Sequence, residues 1–429
     1  MSASEDAAEE TVEANGALVP EVGDEEQDQD RLPGAYKLWL VGILVSLVGN
    51  EVFYFALGWA ASEYGGSIAA LALSAITLPR VLLLLVGGAV SDRVSARRVL
   101  ITGDAVMLIF SVALATVAYS LGAPPLLLVA TGVAVGVVDA FYLPASGSMP
   151  RRLVAEAQLP RALSLRQVGG QVINMGGGPL AGVLVGLAGF AGAAFVNAVT
   201  FAFTLVVLTA VRPRHDVSPA PKRDGLLKEA SSGVKVAFSH PVLRPGLWLT
   251  GAAAGFLLPV LTLLVPLLVR EEDWGAGIAG LVLGAQGVGM VAVTLLVVKR
   301  GPLGRPGLMA AGALILAGAG VLALGLSPTA TVAVAAGVVI GIGNGTFSAH
   351  IAPLVLASSP DSHLSRIQAV LVLVQSLALL LMNNVLGALV DLQGATVVVV
   401  ACAVMLVGAG LTGLASDPLR NDRTGLDRR

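Results

Sequence analysis

The feature that most constrains this chain is a series of apolar segments, each long enough to cross a bilayer as a helix. About 20 apolar residues suffice for one crossing. Twelve such segments, here called spans 1 to 12, are predicted over residues 38–61, 68–90, 98–120, 125–148, 164–188, 191–211, 245–269, 277–298, 307–326, 329–357, 365–390 and 395–415. Only 13% of the residues are charged, against about 25% in soluble domains. The sequence therefore predicts an all-α membrane protein of twelve transmembrane helices.

The longest polar break separates spans 6 and 7 and divides the chain into two halves of six helices. The predicted units are an acidic cytoplasmic tail over 1–33, an N-terminal half over 34–211, a linker over 212–244, a C-terminal half over 245–415 and a second tail over 416–429. Residues 1–30 hold 11 acidic residues and no Lys or Arg. Such a polar, acidic segment is expected to be disordered.

The linker contains one helical pattern. Leu227, Ala230, Val234 and Phe238 recur at helical spacing, with charged residues on the other faces. This pattern predicts an amphipathic helix that lies at the cytoplasmic interface. A helix that binds a partner protein is the alternative interpretation.

The basic residues predict the orientation. An even number of spans places both termini on one side, and all but two of the 26 Lys and Arg residues fall on that side. Because cytoplasmic loops are enriched in Lys and Arg, we expect both termini to be cytoplasmic and the protein to lie in the cell membrane. The two exceptions are Arg80, within span 2, and Arg270, on the opposite side.

The two halves resemble each other weakly. A shift of 205 residues superposes Gly182 on Gly387 and Gly189 on Gly394. Paired halves of this kind are typical of transporters that bind a substrate between them at mid-membrane. We expect a monomer whose partners are a small-molecule substrate, protons and the lipid bilayer, with no nucleic acid.

Several other classes of protein lack support in the sequence. There is no Gly-x4-Gly-Lys-Ser/Thr phosphate loop for ATP binding and no Cys/His cluster for a metal. The single cysteine, Cys402, excludes an internal disulfide. We therefore predict neither an enzyme nor a bound cofactor or metal. A receptor or channel with many spans remains the more remote alternative.

The turn between spans 2 and 3 carries a recognisable motif. Gly88-Ala-Val-Ser-Asp92-Arg93-Val-Ser-Ala-Arg97-Arg98-Val-Leu100 resembles the signature of the major facilitator superfamily at this position. Ser95 and Ala96 replace its usual Gly and Arg. The resemblance implies two pseudo-symmetric six-helix halves and a cytoplasmic gate formed by Gly88, Asp92, Arg93, Arg97 and Arg98.

Spans 4 and 5 carry a second resemblance. Gly178, Pro179 and Gly182 resemble the core of a motif found in exporter branches of the superfamily. The stretch from Asp139 to Pro144 is similar to the drug–proton antiporter group that includes macrolide, tetracycline and siderophore exporters. An arginine found in span 4 of several other drug-antiporter branches is absent, because Asp139 is the only charge there.

Ionisable residues inside a membrane are costly and mark candidate functional sites. At 1.5 Å per residue, Glu51, Arg80 and Asp139 lie roughly 20, 18 and 14 Å from the cytoplasmic helix ends. We predict that Arg80 pairs with Glu51 or Asp139 and that these three residues couple transport to protons. A buried ion pair with a purely structural role is the alternative.

Further polar and aromatic residues of the spans are candidates for substrate contact. They are Tyr54, Phe55, Asn174, Gln286, Asn344, Gln375 and Asn383. Hydrogen bonding between helices is the alternative role for the polar members. Together these features predict a secondary active transporter that exports a small lipophilic compound or drug in exchange for protons. A proton-coupled importer of a metabolite is the main alternative.

Overall fold

The computed structural model describes residues 32–212, 237–301, 305–359 and 364–421. The helices of the first half are α1 (Gly34–Ala61), α2 (Gly66–Val94), α3 (Ala96–Leu121), α4 (Pro125–Leu153) and α5 (Leu159–Ala210). The second half contains α6 (Leu243–Ala252), α7 (Val265–Glu271), α8 (Gly275–Arg300), α9 (Pro306–Gly325), α10 (Ala330–Ala357), α11 (Leu364–Gln393), α12 (Ala395–Ala415) and the short α13 (Asp417–Asn421). No β-strand occurs in the described ranges. Most of the N-terminal tail and most of the predicted linker helix lie outside them.

Helix α5 corresponds to two predicted spans. Eleven helices of the described residues are long and apolar enough to cross a membrane, and one of them covers 55 residues, Glu156–Ala210. At 1.5 Å per residue that helix would be about 80 Å long, far more than the ~30 Å hydrocarbon core. Gly189 interrupts it with φ 62° and ψ −162°, a conformation that glycine adopts without steric cost. The break divides α5 into two crossings, which is consistent with the twelve predicted spans.

Span 7 is one interrupted helix. Two π-helical turns, Ala253–Leu257 and Val260–Leu264, connect α6 to α7. Such turns widen the helix locally and occur often at functional sites. The whole crossing runs from Leu243 to Glu271.

Small residues allow the helices to pack at backbone distance. On α4, a Cβ atom at Gly132 would lie 2.9 Å from the Cβ atom of Ala75 on α2. On α10, a Cβ atom at Gly345 would lie 3.0 Å from the Cα atom of Met290 on α8. Close approach through small residues is a common basis of helix association in lipid.

The two halves meet along two helix pairs. Helix α2 packs against α11, and α5 packs against α8. Helix α2, which carries Arg80, therefore lies at the boundary between the halves.

Candidate functional site

Three helices of the first half converge on one carboxylate. Oδ2 of Asp139 on α4 accepts a hydrogen bond of 2.8 Å from the Tyr54 hydroxyl on α1. The same oxygen lies 3.9 Å from Nη1 of Arg80 on α2. The Asp139 side chain is 17% exposed and that of Arg80 is 33% exposed. The structure thus pairs Arg80 with Asp139.

Glu51 lies one helical turn before Tyr54, on the same face of α1. Its carboxylate forms no hydrogen bond or salt bridge with any residue that the structure describes. The side chain packs against α5, where a Cβ atom at Gly177 would lie 2.9 Å from the Glu51 Cβ. A carboxylate without a cationic partner inside a membrane is costly, and uptake of a proton removes that cost.

Asp104 on α3 is a further intramembrane acid and lies in a separate environment. It is completely buried, and neither carboxylate oxygen has a partner at hydrogen-bond geometry among the described residues. The Tyr142 ring lies beside it, since a Cβ atom at the adjacent Gly103 would be 3.0 Å from Tyr142 Cδ2.

The predicted gating motif spans the end of α2 and the start of α3. Gly88 lies in α2, Arg93 and Arg98 are exposed, and the Asp92 side chain is outside the described set. Arg97 has no hydrogen bond or salt bridge to any residue of the second half that the structure describes. Its guanidinium instead donates to the carbonyl oxygens of Leu208, Thr209 and Val211, at 3.1, 2.8 and 2.7 Å. Arg97 therefore satisfies carbonyl groups at the end of α5, which have no partner within the helix.

The exporter-like motif lies where the halves meet. A Cβ atom at Gly178 would lie 2.8 Å from the Leu283 Cβ, and one at Gly182 would lie 2.9 Å from the Gly280 Cα. Pro179 fills the space left by Gly284 on α8. The motif therefore provides a close contact between α5 and α8, with no room for a side chain.

The predicted substrate-contacting residues have different environments. Asn174 and Gln375 are exposed, and Gln286 and Asn344 are half-buried. Asn383 is 2% exposed, and its Oδ1 has no hydrogen-bond partner within the described residues. Phe55 is buried and stacks on Trp59 with 6.5 Å between ring centroids. Neither Asn383 nor Phe55 is accessible to a ligand in this conformation.

Sequence reasoning missed a polar contact between the halves on the side opposite the Arg93–Arg98 turn. Asp391, near the end of α11, accepts hydrogen bonds from the backbone N–H groups of Gly66 and Ser67, at 2.6 and 2.9 Å. These groups begin α2, where N–H groups lack intrahelical partners and the helix dipole favours an anion.

Two more residues link the halves nearby. Arg270, at the end of α7, donates to the Ser62 hydroxyl at 3.0 Å and to the Trp59 carbonyl at 2.9 Å. Its guanidinium carbon lies 4.4 Å from the centroid of the Trp59 ring. Asn384 on α11 donates to the Ser74 hydroxyl on α2 at 2.8 Å. The one sequence signal for this group of contacts was the position of Arg270 on the side opposite to most of the basic residues.

A protein-family model described as Major Facilitator Superfamily matches residues 39–383. The chain belongs to the Major Facilitator Superfamily. Membership makes it a membrane transporter of small molecules and not an enzyme. No curated protein sequence matches the chain.

Solved structures share this superfamily fold at low sequence identity. A bacterial homologue of the human lysosomal transporter Spinster has 16% identity and a TM-score of 0.71, covering 90% of this chain and 98% of its own. The nucleoside transporter NupG has 13% identity and a TM-score of 0.68, covering 91% and 100%. A bacterial homologue of the iron transporter ferroportin has 17% identity and a TM-score of 0.64, covering 88% and 98%.

Proposed function

We propose that this superfamily member exports a small lipophilic compound across the cell membrane in exchange for protons, by alternating access. The observation that carries the proposal is the Glu51 carboxylate, which has no partner among the described residues and lies one turn from Tyr54 and its bond to Asp139. Two carboxylates and one arginine thus occupy neighbouring positions inside the membrane. Such a group binds a proton at whichever carboxylate lacks the arginine.

The geometry supports an exchange of partners. At 3.9 Å, the Arg80–Asp139 pair is longer than the 2.7–2.9 Å typical of a charge-assisted hydrogen bond, so little separation is needed to break it. The Tyr54 hydroxyl donates to the carboxylate of Asp139 and so stabilises its anion. In the proposed cycle, Glu51 holds the proton while Arg80 is paired with Asp139. Movement of Arg80 toward Glu51 releases that proton and leaves Asp139 to take up the next one.

Two features support export of a lipophilic compound. Gly178, Pro179 and Gly182, which resemble the exporter motif, pack α5 against α8 at the boundary between the halves. The chain is 55% hydrophobic, and the polar candidates for substrate contact are few, which favours a lipophilic substrate. A cytoplasmic location of both termini, as the basic residues predict, completes the proposal.

Proton-coupled import of a metabolite is the second candidate. The same exchange of Arg80 between Glu51 and Asp139 serves symport when substrate and proton bind from the same side. Superfamily membership supports either form of transport and gives no support to a receptor or channel.

Transport by purified protein in lipid vesicles tests the proposal. We expect the lipophilic cation ethidium to accumulate in vesicles with an acidic lumen, because an antiporter exchanges luminal protons for external substrate. Accumulation that requires an acidic exterior supports symport instead. A panel of drugs applied to an efflux-deficient host that expresses the protein extends the search for substrates.

The variant Glu51→Gln tests the proton site. We expect it to abolish accumulation driven by the pH gradient while exchange of substrate at equal pH persists. Glu63→Gln is the matched control, because Glu63 follows α1 and is exposed. Unchanged proton-driven accumulation by Glu51→Gln would contradict the proposed role.

A further inference from the structure

A large cavity lies in the second half, between α6, α11 and α12, apart from the Arg80 site. Its volume is about 890 Å³, within the range of 300–1,000 Å³ that is usual for ligand pockets. Its lining is mainly apolar and includes Trp248, Phe256, Leu381, Met382 and Gly413. None of the described residues that line it is acidic.

The position of this cavity follows from the way α11 and α12 are joined. Helix α11 ends at Gln393 and α12 begins at Ala395, so the two helices meet on the side opposite the Arg93–Arg98 turn. The cavity is lined by Thr412 and Ser416, at the opposite end of α12, and by the start of α6. It therefore lies toward the side that the basic residues mark as cytoplasmic.

Large apolar side chains are exposed in the cavity. Trp248 is 60% exposed and Leu381 is 63% exposed. The Trp248 indole N–H donates to the Thr412 hydroxyl at 3.3 Å, which holds the ring across the gap between α6 and α12. Apolar groups exposed in this way at membrane depth are suited to contact with an acyl chain.

One cation lies at the cytoplasmic end of the cavity. Arg244 is exposed, and its guanidinium has no hydrogen bond or salt bridge to any residue that the structure describes. The nearby His240 ring accepts from the backbone N–H groups of Val242 and Leu243, at 3.3 and 3.4 Å, and so begins α6. The cavity thus combines a long apolar wall with one positive charge, that of Arg244, which has no partner among the described residues.

We propose that this cavity binds a phospholipid with an anionic headgroup from the cytoplasmic leaflet. The headgroup phosphate contacts Arg244, and an acyl chain lies along Trp248 and Leu381. Basic pockets between helices on the cytoplasmic side are suited to anionic headgroups. The positive charge of Arg244 favours an anionic lipid over a zwitterionic one. No described carboxylate in the lining repels the additional negative charge of the anionic headgroup. The inference does not depend on the proposed direction of transport.

Fluorescence quenching by brominated lipids tests this site in the full-length protein. The chain has four tryptophans, and subtraction of the signal of Trp248→Phe isolates Trp248. The protein is reconstituted in phosphatidylcholine that contains a fixed fraction of brominated phosphatidylglycerol or brominated phosphatidylcholine. We expect brominated phosphatidylglycerol to reach half-maximal quenching of Trp248 at a mole fraction roughly fivefold lower than brominated phosphatidylcholine does. One basic residue attracts anionic lipid by about 1 kcal/mol, which corresponds to this factor.

Three variants identify the source of this preference. Arg244→Gln is expected to abolish it, and Arg244→Lys is expected to retain it because the charge remains. Arg300→Gln is the matched control, since Arg300 is exposed at the end of α8 on the same side and does not line the cavity. Equal quenching by both lipids in the wild-type protein overturns the proposal. Equal losses in Arg244→Gln and Arg300→Gln also overturn it, because they indicate attraction by the general surface charge.

Discussion

The carboxylate of Asp391 accepts a 2.6 Å hydrogen bond from the backbone N–H of Gly66, a residue 325 positions earlier in the chain. The bond joins the end of α11 to the beginning of α2. It therefore connects the two halves of the transporter at the side opposite the Arg93–Arg98 turn. Alternating access requires contacts on one side to break when that side opens, so we expect this bond to break when the outer side opens.

The variant Asp391→Ala tests that expectation. Hydrogen bonds to charged groups contribute about 1.5–3 kcal/mol, so their loss should increase the population open to the outside roughly tenfold. The readout is labelling of a Ser74→Cys reporter by a membrane-impermeant maleimide applied to intact cells. Ser74 is 6% exposed, and the native Cys402 is buried. Glu272→Gln, at an exposed position just after α7, is the control and should leave labelling unchanged.

A second prediction concerns the Tyr54–Asp139 hydrogen bond. Tyr54→Phe removes the donor and should lower the free energy of unfolding by about 1 kcal/mol, as hydrogen bonds between transmembrane helices typically do. Chemical denaturation in detergent measures the change. In the double variant with Asp139→Asn, the loss of unfolding free energy should be smaller than the sum of the two single losses, because both substitutions disrupt the same hydrogen bond. Tyr64→Phe is the control, since Tyr64 is 43% exposed, and an equal loss there would argue against a specific role for Tyr54.

The contact between α5 and α8 gives a third prediction. Gly182→Val adds atoms where a Cβ atom would already lie 2.9 Å from the Gly280 Cα. The helices must separate to make room, which costs about 1–3 kcal/mol of packing free energy. We therefore expect the transport rate to fall about tenfold or more, since 1.4 kcal/mol corresponds to a factor of ten. Gly186→Val lies one turn along α5, where a Cβ atom has no neighbour within 4 Å. Similar transport rates for the two variants in lipid vesicles would refute the packing argument.

A fourth prediction concerns Ser95, which stands where the superfamily signature has glycine. Its φ of 117° lies in a region that side chains with a Cβ atom rarely adopt. Ser95→Gly should relieve backbone strain and raise stability by about 1 kcal/mol. Thermal unfolding in detergent measures the effect. The neighbouring Ala96→Gly should lower stability by about 1 kcal/mol, because glycine disfavours a helix. A fall in melting temperature for Ser95→Gly would contradict this account.

Much of the helical architecture was predictable, because the length of an apolar segment is a direct signal in the sequence. Span 12 was predicted over 395–415, and α12 is observed over Ala395–Ala415. Prolines did not break the helices, since α4 continues through Pro144 and α10 through Pro353. Membrane helices tolerate proline when neighbouring groups satisfy the freed carbonyl.

The candidate site was predictable only in part. Depth along each helix places Glu51, Arg80 and Asp139 in one region, but depth does not give the direction in which each side chain points. The choice of Asp139 as the partner of Arg80 depends on the packing of α2 against α4. No local sequence pattern indicates the Asp391–Gly66 hydrogen bond, since it depends on how two helix ends that are distant in the sequence meet. Arg97 likewise contacts α5 because of tertiary packing that the motif does not encode.

The break at Gly189 has a consequence for biosynthesis. It leaves almost no loop between two crossings that together occupy Glu156–Ala210, and no charged residue lies near the bend to stabilise it outside the bilayer. The two crossings are therefore expected to leave the translocon together as a helical hairpin. Arg161 and Arg166 at one end and Arg212 at the other are then expected to retain both ends of the hairpin on the side that the basic residues predict to be cytoplasmic.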